Sequence, residues 1–108
     1  MVREISEADW RVFRELHPIA LERFCQGVLS EVERLIFQAG TSAHERYMGL
    51  YKLLQLRDNE LAVAFDDFRR STALQQLACI QAHKVLTEDE LARFSSETRE
   101  AIRQFLGR

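Results

Sequence analysis

Apolar residues recur at intervals of three and four positions along most of the chain, the period of a helix with one buried side. The clearest run covers residues 21–39, and Gly40 follows it where a helix end is expected. A second run covers residues 42–65 and opens with Ser42 and Glu45, which have the spacing of a capping box. These two runs predict a long helical pair joined by a tight Gly-Thr-Ser turn, which favours an antiparallel arrangement.

Shorter helical runs flank this pair. A first helix is predicted from Ser6 to a break at Pro18, because proline disfavours helical geometry in the residue before it. A fourth run covers residues 70–85, and two further short helices are predicted after Thr87 and Ser95, both good N-cap residues. The pattern therefore predicts a single all-α domain over residues 1–108, built as a bundle or an orthogonal array of five to six helices.

Composition supports this fold class. The chain has one proline and four glycines, too few for the turns of an all-β domain. Apolar residues make up 46% of the chain and charged residues 30%, which is close to the globular average and disfavours disorder. A net charge of -2 disfavours nucleic acid and anionic membranes as partners. We expect a cytoplasmic protein, since there is no signal-peptide pattern, no long apolar stretch and only two cysteines.

Candidate chemistry is sparse. His83 and Cys79, four residues apart, are the only pair with metal-ligand spacing, and two ligands are half of a zinc site. Cys25 lies within an apolar run and is interpreted as a small core residue, inert because burial disfavours the thiolate. The sequence contains no phosphate-binding loop, dinucleotide motif or nucleophile elbow. We therefore expect no metal, no cofactor and no catalytic residue, and a non-enzymatic role is favoured over an enzymatic one.

Two polar residues interrupt the apolar stripes. Asp58 falls within the stripe of the second long helix, and Gln81 falls on the inner arc of the fourth helix. One interpretation is a polar pocket that contains both side chains, since a buried carboxylate must be paired. The interpretation favoured by the sequence is that Asp58 caps a new helical segment over residues 59–65, because aspartate prefers caps to helix interiors.

The junction before the fourth helix concentrates cationic and hydroxyl side chains. These are Arg69, Arg70, Ser71 and Thr72. Together with the free N–H groups of a helix start they could bind an anion. The alternative is an internal ion-pair cluster that fixes the turn, because Asp66 and Asp67 directly precede the arginines.

A third feature is an apolar strip on the second long helix. At 100° per residue, Tyr47, Leu54 and Phe65 point toward the expected core. The strip lies on the other side and consists of Gly49, Leu53, Leu56 and Val63, extended by Phe37. Two hypotheses remain open for it, burial under another helix of the same chain or exposure as a self-complementary dimer interface.

These observations lead to two hypotheses of function. The first is a protein-interaction or regulatory domain that acts through helix surfaces, as a homodimer or with another protein. The second is a small-ligand or anion-binding protein, with an enzyme among its forms, that uses Asp58, Gln81 and the Arg69–Thr72 junction. A cavity lined by those side chains favours the second hypothesis, and an exposed apolar patch favours the first.

Overall fold

The computed structural model describes residues 4–107, which form five helices in the order α1 to α5. Their bounds are Glu7–Ile36 (α1), Ala43–Phe65 (α2), Ala73–Ala82 (α3), Glu88–Leu91 (α4) and Ser96–Phe105 (α5). Helices hold 74% of the described residues, and no strand occurs among them. The predicted all-α class and the array of five helices are confirmed.

The molecule consists of two parts, a body and an arm. In the body, α3, α4 and α5 pack against the N-terminal half of α1 and the C-terminal end of α2, around side chains such as Phe13, Leu77 and Ile102. The arm, residues 25–63, is the rest of the antiparallel α1–α2 hairpin. The arm makes the molecule 51 Å long and 25 Å by 23 Å across. The radius of gyration of 16.4 Å accordingly exceeds the ~13 Å of a typical domain of this length.

α1 corrects the prediction of two separate helices, because it continues without interruption through Pro18. Residues adjacent to the proline in sequence stabilise this part of the helix through their packing and hydrogen bonding. Leu16 and Ala20 are buried in the core. His17 donates from Nε2 to the carbonyl oxygen of Phe65 (3.3 Å) and stacks on Phe68 at 3.9 Å between ring centroids. Packing of one helix face thus outweighs the unfavourable backbone geometry at Pro18.

Pro18→Ala is expected to stabilise the protein, because the side chain is exposed and alanine restores the backbone N–H that can donate to the carbonyl of Arg14. The expected gain in the free energy of unfolding is about 1–3 kcal/mol, after allowing for the looser unfolded chain. Urea denaturation at one fixed protein concentration measures it. Pro18→Gly serves as the control and should give a smaller gain. A Pro18→Ala variant less stable than the parent would contradict this account of α1.

Several predicted helix ends are confirmed, and others shift. Ser42 and Ser95 cap α2 and α5 through their side-chain oxygens, and Thr87 forms the predicted capping box with Glu90. The first long helix ends at Ile36 rather than at residue 39, and Gly40 lies in the following turn with φ at 82°. α3 is shorter than the predicted run over residues 70–85.

Candidate interaction surface

The arm is a pair of helices that the rest of the described chain covers only near its base, where Val28 and Leu61 pack against the core. No residue from Cys25 to Val63 is buried. At the interface between the helices, a Cβ added at Gly49 would lie 3.3 Å from Cδ1 of Leu35, so these two residues mark the line of contact. Amphipathic helices owe most of their stability to the packing of an apolar face against other elements. A hairpin of only two helices buries little apolar surface in this way.

A charged cluster ties the two helices of the arm together. Arg57 donates from Nε and Nη2 to the two carboxylate oxygens of Glu31, both at 3.0 Å, and from Nη1 to Glu60 at 2.6 Å. These hydrogen bonds raise the pKa of Arg57 above its ordinary value and lower that of Glu31. The cluster fixes the register of α1 against α2, because a bidentate arginine–carboxylate pair has one favourable geometry.

One side of the arm carries a continuous apolar surface, here called the apolar face. Its members are Leu29, Val32 and Ile36 on α1 with Tyr47, Tyr51 and Leu54 on α2. At 100° per residue, the α1 group lies about 60–120° around its helix from Leu35, and the α2 group lies about 140–200° around its helix from Gly49, in the same rotational sense. Because the helices are antiparallel, rotation in the same sense turns both groups toward the same side of the hairpin, the α2 group further outward. All members except the half-buried Val32 are between 42% and 67% exposed.

The apolar face points away from the body. Arg23 lies on the opposite side of α1 from Val32, about 180° around the helix axis. The Arg23 side chain bonds the carbonyl oxygen of Val85 (2.9 Å) and both carboxylate oxygens of Glu90 (2.6 and 3.0 Å), which places α4 on that opposite side. This ion pair lowers the pKa of Glu90 to about 2. The helices of the body therefore leave the apolar face open.

The residues of the predicted strip differ in exposure, and its role as an interface stays a prediction. Gly49 and Leu53 line the shallow groove between α1 and α2, together with Leu35. Leu56 and Val63 are 53% and 67% exposed on the side of α2 opposite the apolar face, and Phe37 is 77% exposed in the turn after α1. The expectation that Tyr47 and Leu54 point to a core is wrong. The core packs only the C-terminal end of α2, whereas a helical period assumes that one side is covered along its whole length.

The Arg69–Thr72 junction is engaged within the chain. Arg69 pairs with Asp67, and Arg70 donates to the carbonyl of Ile5 and lies 3.5 Å from Glu4. The hydroxyl of Thr72 donates toward the carbonyl of Asp67 (2.7 Å) and accepts from the backbone N–H of Arg69. Ser71 is exposed. These contacts are those of the internal cluster that the sequence offered as the alternative to an anion site.

Asp58 and Gln81 lie apart from each other and from the Arg69–Thr72 junction. α2 runs unbroken past Asp58, whose side chain is exposed, so the prediction of a helix cap there is wrong. Gln81 lines a groove between α3, α4 and α5 that contains neither Asp58 nor any of residues 69–72. The polar pocket, one of the two interpretations of these side chains, is therefore absent from the part of the chain that the structure describes.

The cysteines and histidines form no metal site. Within residues 4–107, no group of three or more potential ligand side chains of the His, Cys, Asp or Glu type comes together. Both thiols are free. Cys25 is half-buried at the base of the arm rather than in the core, whereas Cys79 packs against the core, so the predicted environment of Cys25 is wrong. Burial lowers the pKa of His17, and its hydrogen bond to Phe65 opposes that shift.

Asp9 is a buried polar residue whose role the sequence pattern does not reveal. Only 3% of the residue is exposed. Its carboxylate accepts from the backbone N–H and hydroxyl of Ser95 (3.0 and 2.7 Å) and from the hydroxyl of Thr98 (2.6 Å). It thereby joins the start of α1 to the N-terminus of α5, where the helix dipole favours a negative charge. In sequence, Asp9 is one of two acidic residues in the first turn of a helix, a common capping feature.

The geometry defines an all-α domain with a projecting helical hairpin whose outer face is apolar. No family model matches the chain, and no match is found among curated proteins or solved structures. None of the helices in the described part of the chain is long and apolar enough to cross a membrane.

Proposed function

We propose that this domain is a non-enzymatic protein-interaction module that self-associates by pairing the apolar faces of two arms. The observation that carries the proposal is an arm without a single buried residue that exposes leucine, isoleucine and tyrosine side chains together on one side. Two hairpins packed on these faces make a four-helix bundle, in which each apolar face becomes the core.

The size of the apolar face supports a second copy as its partner. The exposed parts of its side chains amount to on the order of 500 Å², comparable to the largest apolar patch of a typical monomer at roughly 300–600 Å². A stable interface buries about 800 Å² per partner, and half-buried neighbours such as Cys25 and Leu50 extend the face toward that value. Two tyrosines on the face match the enrichment of aromatic residues in interface centres.

Self-pairing also follows from the shape of the hairpin. A two-fold axis that passes near Leu54 and Val32 stacks the apolar face of one arm on the apolar face of the other copy. Each residue of the apolar face then contacts apolar residues of the second copy. The cluster of Arg57, Glu31 and Glu60 lies along the contact line within each hairpin and holds the face rigid. A rigid face has less conformational entropy to lose on association.

The oligomeric state tests the proposal. Sedimentation equilibrium or light scattering at micromolar concentration is expected to give twice the chain mass of 12.6 kDa. The thermal midpoint should rise with protein concentration, because dimerisation stabilises the folded state by mass action. A monomeric mass and a midpoint independent of concentration would overturn the proposal.

A further inference from the structure

A groove on the body, distant from the apolar face, has the side chains of a small binding site. It lies between α3, α4 and α5 and has a volume of about 430 Å³, within the range of roughly 300–1,000 Å³ found for ligand pockets. Apolar residues in its lining are Leu91, Ala92, Ile102 and Leu106, and the polar residues are Gln81, Glu88, Arg99 and Arg103. The groove thus combines an apolar surface with a few polar groups.

Two of the residues that line this groove each hold a buried polar atom that has no partner in the described part of the chain. One is the acceptor Oε1 of Gln81, and the other is the donor Nε of Arg99. Arg99 also forms no ion pair with any described residue, whereas Arg103 is paired with Glu100. An unpaired buried group of this kind costs free energy comparable to a lost hydrogen bond, so a ligand that satisfies both atoms gains from each.

The chemistry of the two atoms defines the ligand. A guanidinium selects a carboxylate, and an amide oxygen selects an N–H donor. Glu88 also lines the groove and disfavours a dianion such as phosphate. A molecule that carries one carboxylate, a neighbouring amide N–H and a small apolar side chain matches the lining. The geometry points to a site for an N-acylated apolar amino acid, a unit that also forms the carboxyl terminus of a peptide.

The test uses N-acetyl-leucine as the probe and two analogues that each lack one feature. N-acetyl-leucinamide has no carboxylate, and 4-methylpentanoate has no amide N–H. Titrations followed by two-dimensional NMR should shift the backbone signals of Leu91, Arg99 and Leu106. N-acetyl-leucine should bind at least about tenfold more tightly than N-acetyl-leucinamide, the factor expected for one hydrogen bond to a charged group, and about two- to tenfold more tightly than 4-methylpentanoate, which loses a bond between neutral groups.

Variants assign the binding to the two side chains. Arg99→Gln should remove the preference for the carboxylate, and Gln81→Met should remove the preference for the amide N–H. Arg93→Gln is the matched control, since Arg93 pairs with Glu15 and does not line the groove. Equal binding of N-acetyl-leucine and its amide, unchanged binding by Arg99→Gln, or no shifts in the groove would overturn the assignment.

A short peptide distinguishes the two possible sources of the ligand, a free N-acyl amino acid and the carboxyl terminus of a peptide. Acetyl-Ala-Ala-Leu with a free carboxylate presents the same terminal unit with a longer chain. Tighter binding of the tripeptide than of N-acetyl-leucine assigns the site to peptide carboxyl termini, and weaker binding assigns it to a free N-acyl amino acid. Because the groove lies on the body, these results do not depend on whether the arms pair.

Discussion

Replacing Leu54 with glutamate is expected to convert the proposed dimer into a monomer. Leu54 lies in the centre of the apolar face and is 45% exposed in the single chain. In the proposed dimer a two-fold axis near this residue brings two new carboxylates together, and the nearby Arg57 is already paired with Glu31 and Glu60. Each new carboxylate loses hydration and repels the other, so the dissociation constant should rise at least about a hundredfold. Sedimentation velocity over a concentration series measures the change.

Leu56→Glu is the matched control for this experiment. It introduces the same group two residues further along α2, at a position that is 53% exposed on the opposite side of the helix. The dimer should survive this change, and circular dichroism should show the same helix content in both variants. If Leu56→Glu dissociates the dimer and Leu54→Glu does not, the interface lies on the side of Leu56 and Val63 instead. A dimer that persists in both variants would exclude the arm as the interface.

Loss of the Asp9 carboxylate is expected to have a large effect on the stability of the body. Asp9→Ala leaves the hydroxyls of Ser95 and Thr98 and one backbone N–H without their acceptor, in a buried position. The expected cost is about 3 kcal/mol in the free energy of unfolding, since charged hydrogen bonds contribute about 1.5–3 kcal/mol each and are not additive. Urea denaturation at one protein concentration measures it.

Glu7→Ala is the control for Asp9→Ala. Glu7 lies in the same first turn of α1, but its side chain is exposed, and among the described residues it pairs with Arg11 alone, at 3.5 Å. Its removal should change stability by less than about 1 kcal/mol. Similar losses for the two variants would mean that Asp9 acts through the dipole of α1 and not through its bonds to α5.

The contribution of Asp9 is also expected to depend on pH. Burial raises the pKa of this carboxyl, but the hydrogen bonds from Ser95, Thr98 and Ser6 outweigh it and hold the pKa below the ordinary value of 3.8. The ionised form is therefore favoured in the folded state. Its stabilising effect is fully present above the unfolded pKa and is lost as the pH falls through the lower folded pKa.

Asp9→Asn isolates this pH dependence, because asparagine keeps the shape of the side chain and does not titrate. The stability difference between parent and variant should be constant near neutral pH and should shrink as the pH falls below about 4. A difference that grows on acidification would show that the folded pKa is raised, contrary to the hydrogen-bond geometry.

Local sequence determined the helices themselves. Ser42, Thr87 and Ser95 cap the helices that the pattern predicts after them. A side-chain oxygen that accepts from a backbone N–H three residues ahead needs nothing beyond its own turn. The class of the fold followed for the same reason, since a helical period and the scarcity of proline and glycine are properties of short segments.

Tertiary structure decided which helical faces are covered. The apolar stripe with Tyr47 and Leu54 has the period of a buried face, but the core covers only the end of α2 near Phe65. The joining of two predicted helices through Pro18, and the contact of Asp9 with α5, depend on residues 48 and more positions away in the chain. A periodic pattern indicates that a helix has an apolar face to bury. Which part of the chain, or which other molecule, covers that face depends on how distant segments pack.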